Sequence, residues 1–177
     1  EGRSPLLGEP FALISIYGRD QQPCKLRDVD NCRARLSIQF DDLDAPLVYK
    51  GLNYEPITEE QANQIVNFVI GLDPNIALVC QCEAGVARSS AVAAAILKHF
   101  SGDDTPVFTC HLYKPNMRIY RSVLNALHAR DAKLAGTVEF VPPPPPSGQR
   151  KREVRHAKAS HLFPVRAQVR APCVGRR

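Results

Sequence analysis

Val79-Cys80-Gln81-Cys82-Glu83-Ala84-Gly85-Val86-Ala87-Arg88-Ser89-Ser90 is the stretch on which the reading of this chain turns. Residues Asn75–Gln81 leading into it are a continuous apolar run too short for a helix. That pattern predicts a central strand buried on both faces. Beyond it, Ser89–His99 is rich in alanine and reads as a buried helix. Ala91, Ala94 and Ala95 allow close packing, and Gly102 stops the helix. Between strand and helix lies the loop Cys82–Arg88. Such a loop can turn its backbone amides inward, and the helix start adds partial positive charge, so together they form an anion cradle. Gly85 in the middle permits a backbone angle that a side chain forbids.

The side chains on this loop fit one chemistry. A thiol at a helix start beside an arginine is held in surroundings that favour the thiolate, and a thiolate is a nucleophile for phosphorus. Cys82 is therefore the candidate nucleophile. Arg88 offers a planar fork that binds two phosphate oxygens at once. Ser89 is placed to donate a hydrogen bond to the sulfur when it becomes the leaving group. Glu83, Ala84, Gly85, Val86, Ala87, Arg88 and Ser89 are the expected phosphate-binding residues. The plain alternative makes Cys82 a small buried hydrophobe and Arg88 a surface cation. It leaves Gly85 and the strand–helix context unexplained.

The stretch resembles the signature loop of the protein tyrosine phosphatase superfamily, His-Cys-x5-Arg-Ser/Thr. In detail it is most similar to the dual-specificity branch and to small bacterial phosphatases of that type, over about Phe11 to Arg130. The resemblance implies a phosphocysteine intermediate, no metal and no other cofactor. It also implies a general-acid Asp on a loop at the end of a strand, before the helix that leads to the signature strand. Gln81 stands where the family has His. In the family that His helps order the loop and tune the thiol; Gln can donate a hydrogen bond but is never cationic.

Working outward, Phe11–Tyr17 is a short apolar run ending at Gly18 and reads as a buried strand. Arg33–Phe40 alternates, with Leu36, Ile38 and Phe40 on one face, and reads as a second strand. It runs into Asp41-Asp42-Leu43-Asp44-Ala45-Pro46, a breaker cluster and hence a loop. Laying the family's strand on Arg35–Phe40 puts Asp42 at the acid position, ahead of Asp44 and then Asp41. Turn residues solvated at the surface are the other common use of such aspartates.

Thr58 and Gln61 form a capping-box pattern, and Glu59 and Glu60 suit the positive helix start. Ala62, Ile65, Val66, Val69 and Ile70 follow at helical spacing until Asp73-Pro74. A last helix covers Arg118–His128, with Ile119, Val123, Leu124 and Leu127 inward. Pro115-Asn116 before it resembles a Pro-Asn pair of related small phosphatases, whose Asn is read here as that helix's cap. His99, His111 and His128 have no partners at ligand spacing and read as structural or surface residues. The expected fold is α/β: a small, mostly parallel central sheet flanked by helices on both faces, a cysteine-phosphatase-like three-layer arrangement. Its site lies at the C-terminal end of the Asn75–Gln81 strand.

At 177 residues, 44% of them hydrophobic, the chain has material for one domain with a real core and some chain left over. It opens on Glu1, as a processed chain or a fragment would. No run of eighteen apolar residues exists, so no spanning helix and no membrane partner are expected.

The net charge of +5 is unevenly spread: Ser147–Arg177 holds nine Lys/Arg and one Asp/Glu, while Glu1–Pro146 holds 14 basic and 17 acidic residues. The mildly acidic body speaks against a nucleic-acid-binding domain. Residues 1–141 are read as the phosphatase domain, and 142–177 as a proline-rich linker and a basic tail without periodicity, disordered and able to contact polyanions. Phe163 is the lone aromatic residue of the basic segment Ser147–Arg177, which gives no basis for base stacking.

The six cysteines fit neither a metal pattern nor a disulfide scaffold. They read as free thiols of a reducing compartment, hence a cytoplasmic protein.

Glu83, Ala84, Val86 and Ala87 carry no positive charge, whereas lipid-phosphate relatives place lysines in this loop. Cys-Glu-Ala-Gly-Val also resembles the loop of phytase-like inositol phosphatases, but an acidic body offers such a polyanion no basic rim. The expected partner is a phosphorylated protein or a small phosphomonoester. Phosphotyrosine is the expected substrate, with phosphoserine and phosphothreonine as further ones. The alternatives are an inositol-phosphate phosphatase and a non-catalytic, phosphate-binding pseudophosphatase.

Overall fold

Parallel pairing of apolar strands organises the computed structural model, which describes residues 9–23, 30–136 and 167–170. Strand β1 (Phe11–Tyr17) lies in the middle, between β2 (Cys32–Gln39) and β5 (Ala77–Gln81). Both neighbours run parallel to it, with Ile14 opposite Leu36 on one side and opposite Cys80 on the other. β1 and β5 are buried on both faces, as their unbroken apolar sequences require. β2, at the sheet edge, alternates between exposed and partly covered residues and reads so in its sequence. β5 begins at Ala77 rather than at Asn75. Asp73 explains the two-residue difference: its carboxylate accepts from the Asn75 amide at 2.9 Å, closing a turn over the residues just before the strand.

Helices α1 (Glu59–Ile70), α2 (Arg88–Ser101) and α4 (Met117–Gly136) carry the rest of the core, with a single-turn α3 (Thr105–Phe108) between the last two. The capping box at Thr58 is present: Gln61 N–H donates to Thr58 Oγ1 at 3.3 Å, and Thr58 N–H donates to Gln61 Oε1 at 2.9 Å. α2 is buried from Arg88 to Ile96, which its run of alanines makes sterically feasible, and it ends at Gly102 with φ of 76°. α4 runs well past the expected His128. Ala129, Ala132 and Ala135 sustain helical propensity there, beyond the last inward residue, Leu127.

The helical core residues gather on one face of the sheet, with Ala12, Ile14, Ile16, Leu78 and Cys80. Phe11, Leu13 and Val79 form a second cluster on the opposite face, and among the described residues no helix contributes to it. The described residues thus form two layers, where the sequence reading expects helices on both faces.

Four elements have no counterpart in the sequence reading: the single-turn α3 and three strands. β3 (Leu47–Tyr49) and β4 (Leu52–Tyr54) form an antiparallel hairpin after the aspartate cluster. Its two-residue turn holds Lys50 at φ 50° and Gly51 at φ 74°, the paired positive angles that match the twist of a tight hairpin. β6 (Ala167–Arg170) pairs parallel with β5, from Leu78 opposite Ala167 to Gln81 opposite Arg170. It falls inside the 142–177 segment for which the sequence predicts no regular structure. The free edge of β5 supplies the backbone partners that this short segment takes. The remainder of that segment, including the proline run and most of the basic residues expected to reach polyanions, lies outside the described residues. Among the described residues no helix is long and apolar enough to cross a membrane.

Candidate active site

β5 ends at Gln81, and the next side chain, Cys82, continues the strand's alternation. With Leu78 and Cys80 it belongs to the core cluster on the helix side and is only 4% exposed. The loop then turns at Gly85, whose φ of 67° falls in the left-handed region that β-carbons disfavour. α2 starts at Arg88 with no side-chain cap, so the N–H groups of its first turn are directed at the loop. Ser89, in that first turn, places its hydroxyl 3.1 Å from the Cys82 sulfur. Ser90 Oγ donates back to the carbonyls of Val86 and Ala87, at 2.5 and 3.0 Å. Behind the loop the amides of Lys114 and Asn116 donate to the same two carbonyls, at 3.0 and 3.3 Å. The loop is thus tied down from its own helix and from the segment before α4. Of its side chains Glu83 and Ala84 are exposed, and Gly85, Arg88 and Ser89 are buried.

Arg88 is 7% exposed, yet it lines an open cleft of about 400 Å³; Cys82 and Ser89 are not among the residues lining that cleft. Nη1 lies 3.4 Å from the Phe40 carbonyl and 3.4 Å from Gln21 Oε1; Nη2 lies 3.6 Å from a Glu83 carboxylate oxygen. Gln21 Nε2 donates to that same carboxylate. Gly18 N–H donates to Gln21 Oε1 at 2.8 Å. A β-carbon on Gly18 would stand 2.8 Å from the Asp41 carboxylate and 3.2 Å from Arg88 Nη1, so a side chain here would have to displace the Asp41 carboxylate.

The three candidate acids are treated differently. Asp42 lines the cleft with Arg88, and its carboxylate accepts from Asn116 Nδ2 at 3.0 Å. Asn116 Oδ1 accepts from Ile119 N–H at 3.1 Å, so the cap of α4 also holds the candidate acid. Asp41 also lines the cleft. Its carboxylate, however, accepts two backbone amides, Arg19 at 2.9 Å and Glu55 at 3.0 Å, and so joins the β1–β2 connection to the base of the hairpin. Asp44 is exposed and is not among the cleft-lining residues; its carbonyl accepts from Arg118 at 2.6 Å.

Complete burial, aided by nearby Cys82, pushes the Cys80 thiol up to about 12. His99, half-buried, pairs with Asp131 at 3.3 Å. Burial lowers its pKa, against the opposing pull of Asp131. Among the described residues no group of three or more His, Cys, Asp or Glu side chains is placed to hold a metal ion.

Sequence reasoning missed Gly18, Gln21 and the link from Asn116 to Asp42. None carries a local signal: each acts through a residue more than 20 positions away. No family model, no curated protein and no solved structure matches this chain.

Proposed function

We propose that the chain is a cysteine-dependent phosphomonoester hydrolase of the protein tyrosine phosphatase type. It acts on phosphotyrosine, and on phosphoserine and phosphothreonine more slowly. The observation that carries this reading is the Cys82 sulfur 3.1 Å from the Ser89 hydroxyl, on a loop turned by Gly85 and closed by a buried Arg88 that opens onto a cleft. A cytoplasmic location goes with it, since Cys32, Cys80, Cys82 and Cys110 are all free thiols.

In the first step the Cys82 thiolate attacks phosphorus. A sulfur–phosphorus bond forms, the ester phosphorus–oxygen bond breaks, and the departing oxygen takes the proton of the Asp42 carboxylic acid. Arg88 leaves Glu83 and Gln21 and holds two of the transferred oxygens through both transition states. In the second step water attacks phosphorus and gives a proton to the Asp42 carboxylate. The sulfur–phosphorus bond breaks, and the Ser89 hydroxyl donates to the sulfur as it regains its charge. Inorganic phosphate is released and the starting protonation is restored.

The test is hydrolysis of para-nitrophenyl phosphate by the full chain. Cys82→Ser is expected to abolish turnover while phosphate still binds. Turnover unchanged in Cys82→Ser would sink the reading. A wild-type chain that binds a phosphopeptide without hydrolysing it would replace it with the phosphate-binding alternative.

A further inference from the structure

The two strands flanking β1 are built differently. β2 ends the sheet on one side. It alternates between exposed and partly covered residues and carries Arg33 and Arg35, charges of the kind that guard an edge. β5 carries no charge, and its residues from Leu78 to Gln81 are all buried. With β1 alone as neighbour it would leave a row of backbone N–H and C=O groups open beside the candidate active site. β6 takes that row. Its register sets Leu78 opposite Ala167, Cys80 opposite Val169 and Gln81 opposite Arg170. Gln81 also pairs with Ser15 of β1, so the residue before Cys82 has a strand on each side.

β6 meets both ends of the Cys82–Arg88 loop. It pairs with β5, which leads into Cys82, and it lies against α2, which begins at Arg88. The segment suits this use. Ala167-Gln168-Val169-Arg170 alternates apolar with polar residues and lies between Pro164 and Pro172, which cannot donate to a ladder. Residues 137–166 connect it to α4, many more than the dozen or so that a parallel connection needs. A segment of the same chain also meets the edge at a high effective concentration, whatever the concentration of the protein.

We infer that the outer edge of β5 is a strand-addition site that the chain fills with its own residues Ala167–Arg170, and that this strand braces the Cys82–Arg88 loop for phosphate. Backbone pairing supplies the affinity, as for a peptide that adds to an exposed sheet edge. The far end of the basic segment is then a support of the site, where the sequence reads a free tail. The docking stands on the sheet register alone; its effect on phosphate rests on the phosphatase reading.

The experiment is native-state hydrogen exchange on the full chain, read at single amides by NMR, with inorganic phosphate as the ligand probe. Slow exchange is expected for the amides of Ala167–Arg170 that pair with β5. Val169→Pro, which a paired strand does not tolerate, is expected to speed exchange at Gln81 and Cys82 and to raise Kd for phosphate, each about tenfold. Val169→Ile keeps both values, as does Ser160→Pro upstream of the strand. If Val169→Pro does not fold, Val169→Gly weakens the strand through backbone entropy and is expected to shift both values the same way by a smaller factor.

Exchange throughout 167–170 at the rate of an unstructured chain overturns the docking. Wild-type exchange at Cys82 and wild-type phosphate affinity in a folded Val169→Pro or Val169→Gly chain overturn the brace. A dimer in sedimentation at the concentration where the strand is protected gives the edge to a second copy, and the assignment within one chain falls. A wild-type chain that binds no phosphate refutes the phosphatase reading instead, and exchange at Gln81 and Cys82 in the variant then decides the brace alone.

Discussion

The floor and the rim of the cleft are built on opposite principles. The floor, the Cys82–Ser90 loop that meets the cleft at Arg88 alone, is closed mainly by contacts within a few residues: Ser89 on Cys82, Ser90 on Val86 and Ala87, and the positive φ of Gly85. The rim, Asp41–Glu55, is closed by contacts from far along the chain. Arg19 binds Asn53 across 34 positions, and Asn116 binds Asp42 across 74, as Arg118 does Asp44. A nucleophile and its oxyanion cradle can be specified by one short peptide, because strand, turn and helix start set their own geometry. A proton donor and an apolar wall have to be delivered to that peptide by other elements, so their placement depends on packing.

The largest effect expected from variants of the rim comes at Asp42. Asp42→Asn should lower kcat for alkyl phosphates roughly 10²–10⁴-fold, the usual size of a general-acid contribution, with Asp44→Asn close to wild type. Steady-state kinetics on phosphoserine peptides reads this directly. The reverse ranking would move the acid to Asp44 and break the account of the rim. Asp41→Asn is a weaker test of chemistry, since that carboxylate accepts two backbone amides, and its loss should appear in stability as well.

A change confined to the floor comes next. Gly85→Ala forces a β-carbon into a left-handed angle and should cost about 1–2 kcal/mol of unfolding free energy, measured by urea titration. A fall in kcat/KM is expected alongside. An unchanged stability would mean that the loop relaxes to another conformation, and the local specification of the floor would be refuted.

The smallest effect concerns the buried thiol of β5. The Cys80 thiol, pushed up to about 12, stays protonated and neutral throughout pH 7–9. Since the thiolate is the form that alkylates, iodoacetamide should spare Cys80 in the native chain across that range. Peptide mapping by tandem mass spectrometry separates Cys80 from Cys82. Labelling of native Cys80 at pH 7 would contradict its burial.

Much of the fold was legible because its signals are periodic and local. The apolar runs of β1 and β5, the alternation of β2, the capping box at Thr58 and the alanine helix before Gly102 all appear where the sequence predicts them. The hairpin was not legible. Its turn is Lys50-Gly51 rather than the Asn-Gly or Asp-Gly pair that announces such a turn, and its strands are three residues each. Strand β6 was hidden for a related reason, since an alternation of only four residues is too short to announce a strand, and the segment becomes one because an edge is there to pair with. Gln21 and Gly18 were invisible as site residues, because what they do depends on Arg88, which is 67 positions from Gln21.

The sequence by itself determined the chemistry on offer: a thiol, a guanidinium and a hydroxyl spaced along one strand–loop–helix unit, with a glycine where the backbone must turn left-handed. Tertiary structure alone decided which aspartates share a cleft with Arg88, and which apolar wall stands beside it. Those assignments are set by hydrogen bonds between segments far apart in sequence, and no local pattern encodes the partner at the other end of such a bond.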